Sequence, residues 1–370
     1  MLIEAVELYR VRMPLVYPFR TAFGDYGEVE SVLARLMSAG QWGWGETAPW
    51  QAPAYSPEWA AGVFSLLRDW LAPRLLGQDI TSGAQIQDLL SPVKGNPFAK
   101  AALDLAWWDL HARQLGQPLW RVLGGQSDLI DVGADFGVMD NVPQLLEAIG
   151  EAVQAGFTRI KLKVRPGWEL DMLTAVRQAY PDERFHVDCN SAYRLADIEM
   201  LLALDRFDLA MVEQPLAHDD LHDHALLQRR LRTPICLDES ITSPAKVRHA
   251  IETQACGWIN IKPGRVGGLT PALEIHNLCQ AAGIPVWIGG MLESAVGAAH
   301  CTALATLPNV GYPSDIFPSS RFYHLDLAAP EVMLAGPGQI RATDQPGIGC
   351  EPRPAQLAAL QLESAAFGPL

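Results

Sequence analysis

Arg159-Ile160-Lys161-Leu162-Lys163-Val164 is the stretch on which the reading of this chain turns. Successive side chains of a strand point to opposite faces, so the two lysines share one face and Ile160, Leu162 and Val164 share the other. A strand buried in a parallel sheet is expected to be apolar on both faces. With the aliphatic side packed outward against helices, both ammonium groups point into the interior. The same irregularity recurs where other short β-rich runs end: His186-Val187-Asp188-Cys189-Asn190, Met211-Val212-Glu213-Gln214-Pro215, Cys236-Leu237-Asp238-Glu239-Ser240 and Ile259-Asn260-Ile261-Lys262-Pro263.

The spacing of these charges is regular. Lys163, Asp188, Glu213 and Asp238 follow one another at intervals of 25 residues, and Lys262 comes 24 later. One strand-helix unit per interval places all five on the C-terminal rim of neighbouring strands, where barrel active sites are found. Working outward, eight β-rich runs (131–138, 159–164, 184–188, 209–213, 234–238, 258–262, 285–289 and 309–316) alternate with seven amphipathic stretches. Strict alternation predicts parallel strands joined by crossovers. The best fit is a (β/α)7β barrel lacking its last helix; an open doubly wound sheet is the alternative. Three adjacent carboxylates require a cation between them, and all-oxygen ligation selects a hard ion, Mg2+ first and Mn2+ as a substitute. A lysine beside a metal ion and a second ammonium has its charged form disfavoured and can act as a base near neutral pH. A charge that merely ends a strand at a solvated rim is the bland explanation for any one of these residues. Five with the signs ordered Lys, acid, acid, acid, Lys point to a site.

The N-terminal region has a different texture. Residues 3–13 alternate like a strand, and an aromatic- and Gly-rich loop is expected over 17–27. Strand-like runs 31–37 and 42–48 meet at a hairpin turn, Ala39-Gly40-Gln41. Ser56-Pro57-Glu58 predicts a helix start, with helical spacing to about Leu76, and a second helix is expected over 98–115. Strands followed by helices suggest an α+β domain. The Pro- and Gly-rich tail is expected to run back over it. The division is therefore a capping domain of 1–127, with 320–370 packed on it, and a barrel of 128–319.

Twenty-eight Lys and Arg against 42 Asp and Glu give a net charge of −14, which disfavours a phosphate backbone as partner. No apolar run is long enough to span a bilayer, and the start lacks the features of a leader. The six scattered cysteines read as buried thiols of a reducing compartment. A cytoplasmic homo-oligomer with no nucleic-acid or membrane partner is expected. His218, His222 and His224 lie among Asp219, Asp220 and Asp223, but this cluster reads as a solvated helix start more readily than as a zinc site.

The strand-end motifs, together with Lys262-Pro263-Gly264-Arg265-Val266-Gly267-Gly268, resemble the enolase superfamily and, within it, the muconate-lactonising-type subgroup. Pro18-Phe19-Arg20-Thr21-Ala22-Phe23-Gly24, the segment 213–220 and Gly289-Gly290-Met291-Leu292-Glu293-Ser294 resemble the o-succinylbenzoate synthase and N-succinylamino acid racemase family. The resemblance implies that Asp188, Glu213 and Asp238 bind Mg2+, which holds a substrate carboxylate. It implies that Lys163 removes the α-proton to give a metal-stabilised ene-diolate, that Lys262 faces Lys163 across the substrate, and that Lys161 supports the carboxylate. Arg20 and Phe23 are expected in a lid, and Asp135, Gly290 and Met291 against the substrate. Asn190, Glu239 and Arg265 are expected behind the reacting groups, with Arg265 lowering the pKa of Lys262. Asp135 departs from the family's small polar residue, and an acid there would repel a succinyl carboxylate. Cys189 is a milder departure. The expected reaction is dehydration to o-succinylbenzoate in menaquinone biosynthesis, acting on a small-molecule carboxylate. Racemisation of N-succinylamino acids is the alternative, and another muconate-lactonising-type enzyme or a non-catalytic binder is more remote.

Overall fold

The computed structural model describes residues 1–21 and 24–369. An antiparallel sheet is built from the long strands Ala5–Thr21 and Gly24–Ser38, the shorter Gln41–Thr47, and the C-terminal strand Gln361–Phe367, which pairs with the first. The turn at Ala39 and Gly40 has φ of 51° and 74°, the double left-handed geometry of a tight hairpin. The helix Pro97–Gln114 lies flush on this sheet. A Cβ on Gly43 would fall 2.3 Å from the backbone nitrogen of Leu110, so only glycine permits that approach.

Two N-terminal expectations change. The described residues of the 17–27 segment are not an irregular loop: after a register break between Pro14 and Phe19 the two strands pair again, Phe19 with Tyr26 and Arg20 with Asp25. The helix expected at Ser56 begins at Ala60. Ser56 instead closes a local turn by accepting from the backbone N–H of Glu58 at 3.1 Å. The Glu58 carboxylate is buried and accepts from the N–H groups of Phe98 and Ala99 at 3.0 and 3.1 Å, capping the helix Pro97–Gln114 from outside.

Seven parallel strands form the second sheet in sequential order: Ala134–Phe136, Ile160–Lys163, Phe185–Asp188, Val212–Glu213, Ile235–Leu237, Trp258–Ile261 and Val286–Ile288. The eighth run contributes isolated parallel bridges and no continuous ladder. Val310 bridges to the seventh strand and Asp315 to Gly289 just beyond it, and Ser314 bridges to Val132 beside the first. Those bridges close the circle and exclude the open doubly wound sheet. Helices such as Val142–Gln154, Pro244–Thr253 and Ala295–Ala305 fill the crossovers. All six cysteines are free and buried. Among the described residues no helix is long and apolar enough to cross a membrane.

Candidate active site

Lys163, Asp188 and Glu213 are consecutive partners on one rung of the ladder. Glu213 then pairs with Cys236, not Asp238, and Cys236 pairs with Trp258. Asp238 and Lys262 therefore lie progressively beyond that rung, as the tilt and stagger of a closed barrel require. Equal sequence spacing corresponds to a common rim, not to a common hydrogen-bond register.

All five side chains, with Lys161, are buried and meet at this end of the barrel. The Lys161 ammonium lies 3.0 Å from Asp188 Oδ2, 2.9 Å from Glu213 Oε2 and 3.3 Å from Asp315 Oδ2. Lys163 Nζ donates to Asp188 Oδ2 and Asn190 Oδ1, both at 2.9 Å. Lys262 Nζ donates to Asp238 Oδ2 at 2.9 Å and to the Tyr55 hydroxyl at 3.2 Å. Arg265 donates to Asp238 Oδ1, and also to the Tyr55 hydroxyl at 2.9 Å. Backbone shape fixes the acids too. Asn190 and Ser191 take positive φ at the end of the third strand, and the N–H of Asn190 donates to Asp188 Oδ1 at 3.0 Å. Asn260 donates to Glu213 Oε1 at 2.9 Å.

Burial raises the carboxyl pKa of Asp188, but the ammonium groups of Lys161 and Lys163 outweigh it and hold the group far below the usual range. Burial likewise lowers Lys161, yet Asp188, Glu213 and Asp315 outweigh it and leave the ammonium strongly favoured. Lys262 is also raised: burial lowers it, and Tyr55, Glu239 and Glu213 prevail over that and over the repulsion of Lys161. In this arrangement Lys161 and Lys262 are favoured as cations, which for Lys262 is contrary to the expected lowering. Arg265 shares Asp238 and the Tyr55 hydroxyl with Lys262. Glu239, close to Asp188, is pushed up to about 7 by burial and that repulsion.

Among the described residues no three His, Cys, Asp or Glu side chains gather closely enough to hold a metal ion as they stand. The lysines occupy the intervening positions. The donor set nevertheless fits a hard divalent ion: three buried carboxylates on successive strands, with Glu213 Oε2 buried and making no aligned hydrogen bond. The histidine cluster shows no metal grouping either. His224 is buried, not solvated, with Nε2 accepting from the N–H of Leu216 at 3.3 Å.

The cavity enclosed here is about 50 Å³ and is lined by Phe19, Trp50, Tyr55, Asp135, Lys161, Lys163, Asp188, Asn190, Lys262, Gly290, Met291, Leu292, Asp315 and Phe317. Ligand pockets of several hundred Å³ are usual, so this cavity must widen to admit a substrate. Gly289 lets Lys262 pass: a Cβ there would sit 2.8 Å from Lys262 Cε. Arg20 is not in the lining. Its guanidinium is half exposed and bonds Asp140 Oδ1 at 2.6 Å. Phe23 lies outside the described residues.

Phe19, Trp50, Tyr55, Asp315 and Phe317 were not singled out from the sequence as site residues. Phe19 packs edge-on against Trp50 and Phe322, with centroids 6.2 and 6.1 Å apart, forming a roof with its ring 5.8 Å from Lys163 Nζ. The acid at Asp315 near the end of the eighth apolar run was a legible signal of the same kind as Asp188. Tyr55 lies in an irregular segment that gave none.

The family described as Mandelate racemase / muconate lactonizing enzyme, N-terminal domain, matches residues 3–124, and Enolase C-terminal domain-like matches residues 144–356. The chain belongs to the mandelate racemase/muconate lactonizing enzyme family of the enolase superfamily. It is 46% identical over 348 residues to an o-succinylbenzoate synthase of Geobacillus stearothermophilus, covering 94% of this chain and 92% of that protein. It is 44% identical over 349 residues to an N-succinylamino acid racemase of Thermus thermophilus, covering 94% of each. A solved enolase-superfamily structure from Listeria innocua superposes with a TM-score of 0.96 at 35% identity, covering 99% of both chains. Enzymes of this family depend on a divalent metal ion.

Proposed function

We propose that the chain is an o-succinylbenzoate synthase, a lyase that dehydrates 2-succinyl-6-hydroxy-2,4-cyclohexadiene-1-carboxylate in menaquinone biosynthesis. In this reading Asp188, Glu213 and Asp238 hold Mg2+, with Mn2+ as a substitute. One observation carries it. Lys163 and Lys262 stand on the second and sixth barrel strands, opposite one another in an eight-membered circle, with the three acids on the strands between. The ion, when bound, would supply positive charge that offsets the negative charge developing on the substrate carboxylate as the α-proton leaves.

The remaining work falls to the chain's own side chains. Lys163, acting as the base, takes the α-proton, and the electron pair of the broken C–H bond forms the new C=C bond. The resulting Lys163 ammonium donates its proton to the departing hydroxyl on the same face, so water leaves and the amine is restored. Lys262, bonded to Asp238 and Tyr55, presents a cation from the opposite face. Phe19, Trp50 and Phe317 keep bulk water from the reacting carbon.

Racemisation of N-succinylamino acids is the second reading, favoured by the opposed placement of Lys262, which as a neutral amine would serve as the second base. The same reading makes 1–127 with 320–370 the cap and 128–319 the catalytic barrel of a cytoplasmic homo-oligomer. Assay of one Mg2+-loaded preparation on both substrates is the test. Rapid formation of o-succinylbenzoate supports the synthase. Racemisation without dehydration moves the conclusion to the second reading, and inactivity on both overturns it.

A further inference from the structure

We infer that Asp135 is a positioning residue that receives the Lys161 ammonium when a divalent ion takes Asp188 and Glu213. The inference rests on the ligand assignment proposed above. Lys161 Nζ lies against Asp188 Oδ2 and Glu213 Oε2 at 3.0 and 2.9 Å, and these are oxygens the ion would also need. Two cations cannot share those oxygens at such distances without strong repulsion. Lys161 is only 3% exposed, so its ammonium cannot simply withdraw into water and needs a buried acceptor in place of the two oxygens it gives up.

Two acids are within its neighbourhood. Asp315 Oδ2 already accepts from Lys161 Nζ at 3.3 Å while its Oδ1 is bonded by the Arg159 guanidinium, so it has no further oxygen for the contacts that Lys161 loses at Asp188 and Glu213. Asp135 stands directly beside Lys161 in strand register. It is buried and lines the same cavity, and its Oδ1 has no hydrogen-bond partner among the described residues. A buried carboxylate oxygen without a donor is costly, and here its strand neighbour is a cation that must move. An arriving ammonium would satisfy both groups at once. Asp135 thereby acts on the ion through Lys161, without touching it.

Calorimetric titration of the full-length protein with Mg2+ alone tests this. Asp135→Asn should raise the Kd for Mg2+ about tenfold, the weight of one charge-assisted hydrogen bond. Asp135→Ser provides a second removal of the charge should the asparagine variant fold poorly, with melting curves as the check. In a Lys161→Met background, where the Lys161 ammonium no longer has to be rehoused, Asp135→Asn should change Kd less than about twofold. An equal loss in both backgrounds would show that Asp135 acts by its charge alone and would overturn the inference. So would tight Mg2+ binding by Asp135→Asn, which leaves the ligand assignment standing. A wild-type protein that binds no Mg2+ at millimolar concentration would instead remove the ligand assignment, and the inference with it.

Discussion

Replacing Glu46 by glutamine tests how the N-terminal sheet is fastened to the rim of the site. Glu46 is buried at the end of the third strand, and its Oε1 accepts from the N–H of Ser294 at 3.1 Å. Its Oε2 accepts from the Ser294 hydroxyl at 2.5 Å and from the N–H of Gly297 at 3.0 Å. These are the first residues of the helix Ala295–Ala305, which follows the segment carrying Gly290 and Met291. Burial pushes the Glu46 carboxyl from 4.5 up to about 7, against the pull of the Ser294 donors. Between those two values the folded protein keeps a proton that the unfolded chain has lost. Stability therefore falls as pH rises through this window, and above it the full cost of a buried anion is in force. The gap corresponds to about 3 kcal/mol. Glutamine keeps the shape and cannot ionise. Glu58 and Asp104, raised by burial to about 7 and about 6, add slope of the same sign to both proteins and cancel in the comparison. Melting curves at pH 5 and pH 8 should therefore show the variant gaining about 4 °C on the wild type across that interval. Parallel Tm profiles would refute the assignment of a proton to Glu46.

Tyr55→Phe removes the hydroxyl shared by Lys262, Arg265 and Asp238, and kcat should fall about tenfold with little change in KM; unchanged kinetics would remove Tyr55 from the site. Arg20 pairs with Asp140, so Arg20→Met and Asp140→Asn should each alter KM only about twofold, with the double variant no worse than either single one. A large effect of Arg20→Met alone would return Arg20 to the substrate. Lys262→Ala should stop proton exchange of one enantiomer of an N-succinylamino acid while sparing the other, and equal exchange of both would contradict the opposed placement of the lysines.

Much of the barrel was legible because its strands are short and apolar, so that each charge stands out against its surroundings. Lys161, Lys163, Asp188, Glu213, Asp238 and Lys262 were found in that way, and the structure brings them together. The stagger between Glu213 and Asp238 was not legible, since it is set by barrel closure and not by any one strand. The renewed pairing of residues 19–21 with 24–26 was hidden because Pro14 and Pro18 interrupt the alternation, while pairing between the two strands restores it. Glu58 reads as part of a helix start because its true partners, Phe98 and Ala99, are distant in sequence. Phe19, Trp50 and Tyr55 reach the cavity only through docking of the N-terminal sheet on the barrel, a relation no local pattern encodes. Gln361–Phe367 alternates in exposure without a strong apolar rhythm, so its pairing with the first strand was visible only as a tail expected to return.

The most direct test of the account is proton NMR of an N-succinylamino acid in D2O with the Mg2+-loaded protein, following the signal of the α-proton. The account predicts that this signal is lost as deuterium enters, that chelation of the metal halts the loss and added Mg2+ restores it, and that Lys163→Ala abolishes it for both enantiomers. Retention of the α-proton by the folded, Mg2+-loaded wild type, or undiminished exchange in Lys163→Ala, would contradict it.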